Sequence, residues 1–243
     1  MPSNADGWPR SMSRRAARRA ETIAEIKALA RQQLAAEGTG GLSLRAIARH
    51  MGMSPTAPFR YFESQSALIT ALCLDSYNHL ADTITAAQRA ADCGPAGRWR
   101  IVCIAMRQWA LDNPSEFALI GGTPIPGYEP EPGETGPAAR KLVNALAGAY
   151  LEAVASGAAD PEATDVPTMA VGPLLAYLLD TQAAAHSPIP GIVVNAYASI
   201  IGFILTETFG ALKHLVSDPD ALFQAHLRTI MRGMGFQETV IAQ

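Results

Sequence analysis

The sequence is poor in cysteine, in charged residues and in recognisable catalytic motifs, and each shortage excludes a class of protein. Three cysteines among 243 residues, Cys73, Cys93 and Cys103, form no CxxC pair and no disulfide framework, which indicates reduced thiols in a cytoplasmic protein. Five histidines show no spacing with Cys, Asp or Glu that is typical of a metal site, so we expect neither metal nor cofactor. The chain has no GxSxG, P-loop or nucleotide-binding fingerprint, and we therefore expect no catalytic residues and no enzyme.

Long apolar runs are also lacking. The two strongest, Val171–Leu179 and Ala198–Leu205, are too short to span a bilayer, and Pro173 and Gly202 interrupt them. The N-terminal arginines are followed by no apolar segment, so we expect no signal peptide. Runs of β-branched residues are few, alanine is abundant, and the 49% of hydrophobic residues recur at helical spacing. This pattern predicts an all-α protein with a sizeable core.

Charge is distributed unevenly along the chain. Residues 1–70 carry 10 Lys/Arg against 5 Asp/Glu, a net charge of +5, whereas residues 71–243 carry 9 against 17, a net charge of −8. A basic headpiece on an acidic body suggests binding to a polyanion. A solvated basic tail is the other interpretation, because five of the arginines lie between Arg10 and Arg19.

Periodicity and capping residues predict a series of helices separated by loops rich in glycine and proline. Gly121–Pro137 is the densest such loop. The predicted helices cover about 14–37, 43–51, 54–61, 64–91, 97–111, a short segment from Asn113-Pro114, 138–156, 168–185, 191–216 and 218–233.

The stretch SLRAIARHMGMSPTAPFRYF, Ser43–Phe62, has the spacing of a helix-turn-helix. Ser43 is placed to cap a short helix, Gly52 supplies a turn with positive φ, and Ser54-Pro55 is a cap followed by proline at the first helical position. Pro58 would then lose one hydrogen bond, to the carbonyl of Ser54, near the start of the second helix. Two helices joined by a short glycine-containing turn are typical of DNA-binding proteins.

Side chains in this stretch suit contacts with DNA. The hydroxyls of Ser43, Ser54, Thr56 and Tyr61 and the N-terminal amides of both helices match phosphate oxygens, and Arg45 and Arg60 can pair with phosphate or guanine. A three-helix unit that does not bind DNA is the alternative. The residues predicted to contact DNA are Ser43, Leu44, Arg45, Ser54, Thr56, Ala57, Phe59, Arg60, Tyr61 and Gln65.

Residues 16–70 resemble the DNA-binding domain of the TetR family of bacterial transcriptional regulators, through the motif LSLRAIARHMGMSPTAPFRYF and its aromatic-Arg-aromatic-Phe ending. The resemblance implies an all-α homodimer that binds a palindromic operator, usually represses, and releases DNA when a small molecule occupies the C-terminal domain. Two positions depart from the family. Phe59 stands where Tyr is common, and Gln65 stands where a phosphate-contacting Lys is common. The arginines at 10, 14, 15, 18 and 19 could compensate as a minor-groove arm.

The stretch Met106–Glu131 resembles the C-terminal domain of the WHG-type subgroup of this family. The matching positions are Asn113, Pro114, Phe117, Gly122, Thr123, Pro124, Ile125, Pro126, Gly127 and Tyr128. Ile201-Gly202 keeps the glycine of the WHG feature and lacks its Trp and His. Three domains are therefore predicted: a disordered basic arm over 1–15, the helix-turn-helix domain over 16–70, and a helical effector-binding and dimerisation domain over 71–243.

Apolar and aromatic side chains of the body are candidates for the wall of an effector pocket, although such residues at helical spacing are more often core. The candidates are Met106, Trp109, Phe117, Tyr128, Tyr150, Leu175, Tyr177 and Phe203. The helices predicted over 168–185 and 191–216 are too apolar to leave uncovered, and the resemblance implies that such helices form a four-helix dimer interface. The candidates there are Ala176, Ala183, Ala198, Gly202 and Phe209.

The functional hypotheses belong to different classes. The first is a cytoplasmic, ligand-responsive repressor that binds double-stranded operator DNA as a homodimer, with a hydrophobic or aromatic effector and no membrane partner. The alternative is a helical protein-interaction or ligand-binding module without sequence-specific DNA binding. Cys103 is either a redox sensor or a buried inert thiol, and its apolar neighbours favour the latter.

Overall fold

The computed structural model describes residues 14–121, 125, 127–129, 132–179 and 187–241. Those residues are predominantly α-helical and contain no strand, which confirms the predicted all-α class. The chain divides into two compact units, Met1–Leu68 and Ile69–Gln243.

The first unit is built on two helices, α1 (Arg14–Glu37) and α2 (Leu44–His50). Ile26, Ala30 and Leu34 form the buried face of α1. The Ser43 hydroxyl accepts a hydrogen bond from the amide of Ala46 at 3.3 Å, which confirms the predicted cap of α2. The turn after α2 contains Gly52 at φ +65°, where a side chain would be strained.

The segment after this turn differs from the predicted second helix. A 3₁₀-helix, Ala57–Arg60, forms in place of an α-helix over 54–61, and Ser54 does not cap it. The carbonyl of Ser54 accepts a hydrogen bond from the amide of Ala57, three residues on, because Pro58 has no N–H to offer it. We call Ser54–Tyr61 the recognition segment. It is followed by α3 (Gln65–Ala90), which the Ser64 hydroxyl caps as predicted, accepting from the amide of Ala67 at 3.0 Å.

The second unit contains most of α3 and further helices. They are α4 (Pro95–Asp112), α5 (Pro114–Ile120), α6 (Pro132–Ala155), α7 (Pro173–Leu179), α8 (Ile189–Thr208), α9 (Pro219–Gly233) and α10 (Glu238–Ile241). The buried face of α4, which includes Trp99, Val102 and Met106, packs against α6. Phe223 and Leu227 bury α9 against α8.

Several predicted helix boundaries are wrong. The helix α6 starts at Pro132 inside the predicted loop, with Pro137 in its second turn. The helix α7 starts only at Pro173, because the preceding chain packs across the start of α8, where a Cβ on Gly191 would meet Val166 and Met169. The helix α8 ends at Thr208, since Gly210 turns the chain into the left-handed region at φ +82°.

A backbone bridge holds the end of α9 against the loop after α6. Ala159 and Phe236 form an isolated antiparallel bridge, in which Asp160 donates to the carbonyl of Gly235 at 2.8 Å and Gln237 donates to the carbonyl of Ala158 at 3.0 Å. Gly235 has φ +77°, and a Cβ there would collide with the carbonyl of Asp160. Only glycine fits this position without strain.

The helix α8 is unusually apolar. It is 20 residues long, with an 18-residue window of mean hydropathy 1.8, of which 39% is buried. By length and composition α8 could therefore cross a membrane, whereas the sequence analysis judged only its run Ala198–Leu205, interrupted by Gly202, and found it too short.

Candidate nucleic-acid interface and ligand cavity

The predicted DNA-contacting residues form a largely exposed surface of the first unit. Arg45 projects from α2, Gln65 begins α3, and Ser43, Ala57 and Tyr61 are half-buried. The remaining exposed members lie in the recognition segment: Ser54, Thr56, Phe59 and Arg60. Pro58 is buried beneath them and fixes the segment to the core of the unit.

Leu44 is the exception among these residues. Its side chain is only 3% exposed and belongs to the core with Ile47 and Ala48, as the inward face of this helix requires, and its contact with DNA stays a prediction. Only the backbone amide of Leu44, at the start of α2, remains available to a phosphate. An apolar residue directly after the cap of an amphipathic helix commonly faces inward, and the same periodicity that located the helix carries this information.

Arg19 on α1 holds the end of the recognition segment. Its Nη1 donates to the backbone carbonyl of Arg60 at 3.0 Å, and its guanidinium carbon lies 5.2 Å from the centre of the Tyr61 ring. The hydrogen bond restrains the backbone of Arg60, and the cation–π contact restrains the ring of Tyr61. The Arg19 guanidinium is thus engaged within the unit, and the arm of N-terminal arginines in the minor groove stays a prediction. Arg14, Arg15 and Arg18 are exposed on α1, while Arg10 lies outside the described residues.

An apolar cavity of about 680 Å³ lies in the second unit between α3, α6, α7 and α8. A volume of this size is typical of a site for a small molecule. Its lining includes Tyr77, Thr135, Ala139, Leu142, Val143, Leu175, Val193 and Tyr197. Burial raises the pKa of both Tyr77 and Tyr197 above the usual range, so both phenols are neutral at physiological pH.

Among the predicted pocket residues whose side chains the structure describes, only Leu175 lines this cavity. Met106, Trp109, Phe117 and Tyr150 are each at most 3% exposed and belong to the core. Phe203 packs on Phe223 and His226. Tyr128 donates or accepts a hydrogen bond with Thr70 at 3.0 Å, and the side chain of Tyr177 lies outside the described residues.

The sequence offered no local signal for the two tyrosines that do line the cavity. Tyr77 lies on the inner stripe of α3, and Tyr197 lies in the apolar helix α8. In the sequence, both positions therefore look like those of core residues. A void depends on how α6, α7 and α8 pack together, and a single helix does not encode it.

Two cysteines in the second unit are shielded from solvent. Burial raises the pKa of Cys73 to about 11, and it raises the pKa of Cys103 well above its ordinary value. Cys103 is fully buried, which favours the inert thiol over the redox sensor. Among the described residues, no group of three or more His, Cys, Asp or Glu side chains is placed to hold a metal ion.

One face of α8 carries small and apolar side chains that are left exposed. Val194, Ala198 and Gly202 follow at intervals of four residues, and Phe209 lies just beyond the end of the helix. Val194 is 41% exposed, Phe209 is 53% exposed, and a Cβ on Gly202 would contact nothing. Of the other predicted interface residues, Ala176 is half-buried on α7 and Ala183 lies outside the described residues.

Arg107 on α4 contacts residues of both α8 and α9. It donates to both carboxylate oxygens of Glu207, with Nε to Oε2 at 2.6 Å, and Nη2 lies 2.7 Å from the Asp220 carboxylate. Its guanidinium lies 4.9 Å from the centre of the Phe223 ring. Hydrogen bonding to Glu207 raises the pKa of Arg107, so its guanidinium stays charged. The charged guanidinium holds the carboxylates of α8 and α9 against α4.

Both parts of the chain match family models. Residues 26–72 match the model described as bacterial regulatory proteins of the tetR family, and residues 99–230 match the model of the tetracyclin repressor-like C-terminal domain. HTH-type transcriptional regulators Rv1816 of Mycobacterium tuberculosis and Mb1846 of Mycobacterium bovis are each 35% identical over 222 residues, which cover 88% of this chain and 92% of the relative.

Solved structures show the same fold. A regulatory protein named SCO4313 is 31% identical with a TM-score of 0.68, covering 91% of this chain and all of that one. The transcriptional regulator FadR from Bacillus subtilis, solved in complex with stearoyl-CoA, is 14% identical with a TM-score of 0.58, covering 86% of this chain and 98% of that one. The second likeness concerns the fold alone.

The capped α2, the Gly52 turn and the exposed recognition segment define a DNA-binding helix-turn-helix protein. With its WHG-type C-terminal domain, the chain belongs to the TetR family of bacterial transcriptional regulators. It is a regulator of transcription and not an enzyme, as the sequence analysis concluded.

Proposed function

We propose that this protein is a homodimeric repressor that binds a palindromic operator through its recognition segment and releases it when a small molecule occupies the second unit. The observation that carries the proposal is the exposed row of Thr56, Phe59 and Arg60 on a segment anchored by buried Pro58 and by Arg19. Such a row can enter a major groove. Arg45 on α2 and Gln65 at the start of α3 are then the candidates for contacts with the phosphates.

The exposed face of α8 supports the homodimer. Val194, Ala198 and Gly202 would let a second copy of the helix approach closely, because two of these residues have little or no side chain. A self-complementary patch of this kind suits a two-fold axis, and a two-fold protein matches a palindrome. The same contact would cover the apolar surface that gives α8 its high hydropathy, so we assign the chain to the cytoplasm and not to a membrane.

The cavity supports regulation by a small molecule. It is large enough for a drug-sized ligand, and its wall includes Tyr77 on α3, the helix that begins at Gln65. The domain model described as tetracyclin repressor-like favours a repressor, and the stearoyl-CoA complex of FadR is a precedent for small-molecule binding on this fold. For this chain we propose a hydrophobic or aromatic effector.

The test is selection of random duplex DNA by the purified full-length protein, followed by sequencing of the bound fraction. We expect a palindrome whose half-sites are centred about one helical turn apart or slightly more. Enrichment of non-palindromic DNA would contradict the dimeric operator complex. Recovery of unselected DNA, through weak and strongly salt-dependent binding, would leave only non-specific attraction to phosphate.

Arg60 is the first residue to change on the selected operator. Arg60→Ala should weaken binding by about 1–3 kcal/mol if the side chain contacts a base, and by less with a smaller salt dependence if it contacts phosphate. Arg49→Ala removes the same charge from the exposed end of α2, outside the predicted contact set, and serves as the matched control. Equal affinities of both variants and the parent, measured by fluorescence anisotropy at physiological salt, would remove Arg60 from the interface.

A further inference from the structure

The wall of the cavity has a distinctive chemistry. The described lining residues carry no Lys, Arg, His, Asp or Glu, and their polar side chains are the hydroxyl groups of Tyr77, Thr135 and Tyr197. A charged group transferred from water into such a wall would lose its hydration without gaining a counter-charge. An uncharged ligand therefore suits this wall better than a charged one.

The two tyrosines lie close enough to influence each other. Tyr77 on α3 and Tyr197 on α8 both line the cavity, and the charge that Tyr197 would acquire on ionisation adds to the burial that raises the pKa of Tyr77. The burial that disfavours a phenolate at this place disfavours the charge of a bound anion there for the same reason. Neutral phenols can donate a hydrogen bond to, or accept one from, an uncharged polar group.

We infer that this cavity binds an uncharged, mostly apolar small molecule with a polar group at the Tyr77–Tyr197 pair, and that it rejects the anionic counterpart of the same size. The inference names the chemical class of the effector, and to that extent it rests on the proposed function. It separates this chain from an acyl-CoA ligand such as the one in the FadR complex, whose phosphates would find no partner among the described lining residues.

A matched pair of ligands tests the charge rule. Purified full-length protein is titrated with 1-decanol and with decanoate at pH 8, by displacement of the uncharged dye Nile red. We expect 1-decanol to bind at least about tenfold more tightly than decanoate. Decanoate binding as tightly as 1-decanol, or more tightly, would overturn the inference.

Substitutions on α6 locate the binding. Ala139→Trp fills the cavity and should abolish displacement by 1-decanol, whereas Leu151→Trp, at an exposed position of the same helix outside the cavity, should leave it unchanged. Tyr77→Phe and Tyr197→Phe should each weaken 1-decanol about fivefold through loss of one hydrogen bond. Binding that is indifferent to Ala139→Trp would place the ligand elsewhere and overturn the inference.

A charge-installing variant covers the case in which Ala139→Trp fails to fold. Val143 lines the cavity and is only half-buried, so Val143→Lys can carry a cation into the wall. This variant should reverse the preference and bind decanoate more tightly than 1-decanol. An unchanged preference in folded Val143→Lys protein would count against the inference.

Operator release is measured separately on the selected palindrome. If 1-decanol binds the cavity with the expected charge preference and leaves DNA occupancy unchanged, the charge rule stands and the proposed release by an effector at this site fails. If decanoate and 1-decanol bind equally, the charge rule fails whether or not DNA is released.

Discussion

Pro58 determines the local shape of the recognition segment. In an α-helix its nitrogen would face the carbonyl of Ser54, and without an N–H that carbonyl would lose its partner. The backbone instead forms hydrogen bonds between residues three apart. The amide of Ala57 donates to the carbonyl of Ser54 at 2.9 Å, and the amide of Tyr61 donates to the carbonyl of Pro58 at 2.9 Å. The 3₁₀ geometry is thus a direct consequence of one residue that is also buried in the core of the unit.

Arg19 should act on DNA binding through the residues it holds. Arg19→Ala removes the hydrogen bond to the Arg60 carbonyl and the contact with the Tyr61 ring, so we expect operator affinity to fall about tenfold. Arg49→Ala is the matched control, because it removes the same charge from an exposed position of the first unit outside the predicted contact set. The measurement is fluorescence anisotropy on the selected operator for both variants.

A double variant separates positioning from direct contact. If Arg19 works by holding Tyr61, the effects of Arg19→Ala and Tyr61→Ala should be less than additive in the double variant. Full additivity, or an Arg49→Ala loss as large as that of Arg19→Ala, would mean that Arg19 contributes only its charge.

Gly235 should be irreplaceable for stability of the second unit. Gly235→Ala places a Cβ against the carbonyl of Asp160 at a residue with φ +77°, so we expect the free energy of unfolding to fall by at least about 2 kcal/mol. Gly233→Ala, two residues earlier at the end of α9, meets nothing within 4 Å and should be neutral or stabilising by about 0.5–1 kcal/mol. Urea denaturation followed by circular dichroism measures both, and equal effects would refute the steric argument.

Among the helices, α4 is joined to α8 by a buried ion pair and to α9 by an exposed one. The side chains of Arg107 and Glu207 are only 12% and 10% exposed, whereas Asp220, on the other side of Arg107, is 85% exposed. A buried pair is costly to break because one charge is left without a partner, while an exposed pair contributes little.

The two carboxylates should therefore differ sharply in importance. Glu207→Gln should lower the free energy of unfolding by about 3 kcal/mol, and Asp220→Asn by at most about 1 kcal/mol. Chemical denaturation of the two variants in parallel makes the comparison, with each serving as the control of the other. A larger loss from Asp220→Asn would mean that the exposed carboxylate is the main partner of Arg107.

Helix boundaries were predictable where a local residue sets them. Ser43, Ser64 and the Asp218-Pro219 pair begin helices as expected, because a cap needs only its own side chain and a nearby amide. The start of α7 and the end of α8 were missed, since the first depends on packing against Gly191 and the second on the left-handed turn at Gly210.

The candidate sites also differ in whether local sequence or long-range packing determines them. The helix-turn-helix was predictable because the Ser43 cap, the Gly52 turn and an exposed segment follow one another within a short stretch, although Ser54 does not act as the second cap. The cavity was not, because Tyr77, Val143 and Tyr197 come from three helices and meet only through packing. The buried state of Met106 and Tyr150 follows from the same long-range packing.

For the whole molecule, the exposed face of α8 leads to a prediction about assembly. Ala198→Asp places a charge in the middle of the proposed interface, so the protein should become monomeric and lose operator affinity while remaining helical. Ala86→Asp, at an exposed alanine within α3, is the matched control and should remain dimeric. Light scattering and circular dichroism measure mass and helicity, and a dimeric Ala198→Asp protein would place the interface elsewhere.

The recognition segment has a consequence for how operator preference can diverge between descendants of one ancestral regulator. Its backbone is shaped by Pro58 and by Arg19, and not by the helix-forming tendency of its exposed residues. Helix propensity therefore matters little at Thr56, Ala57 and Phe59, whereas it usually constrains residues on a recognition helix. Substitutions by β-branched, aromatic or small side chains at these positions should change the free energy of unfolding little. The segment can therefore acquire new target sequences by mutation without loss of the fold.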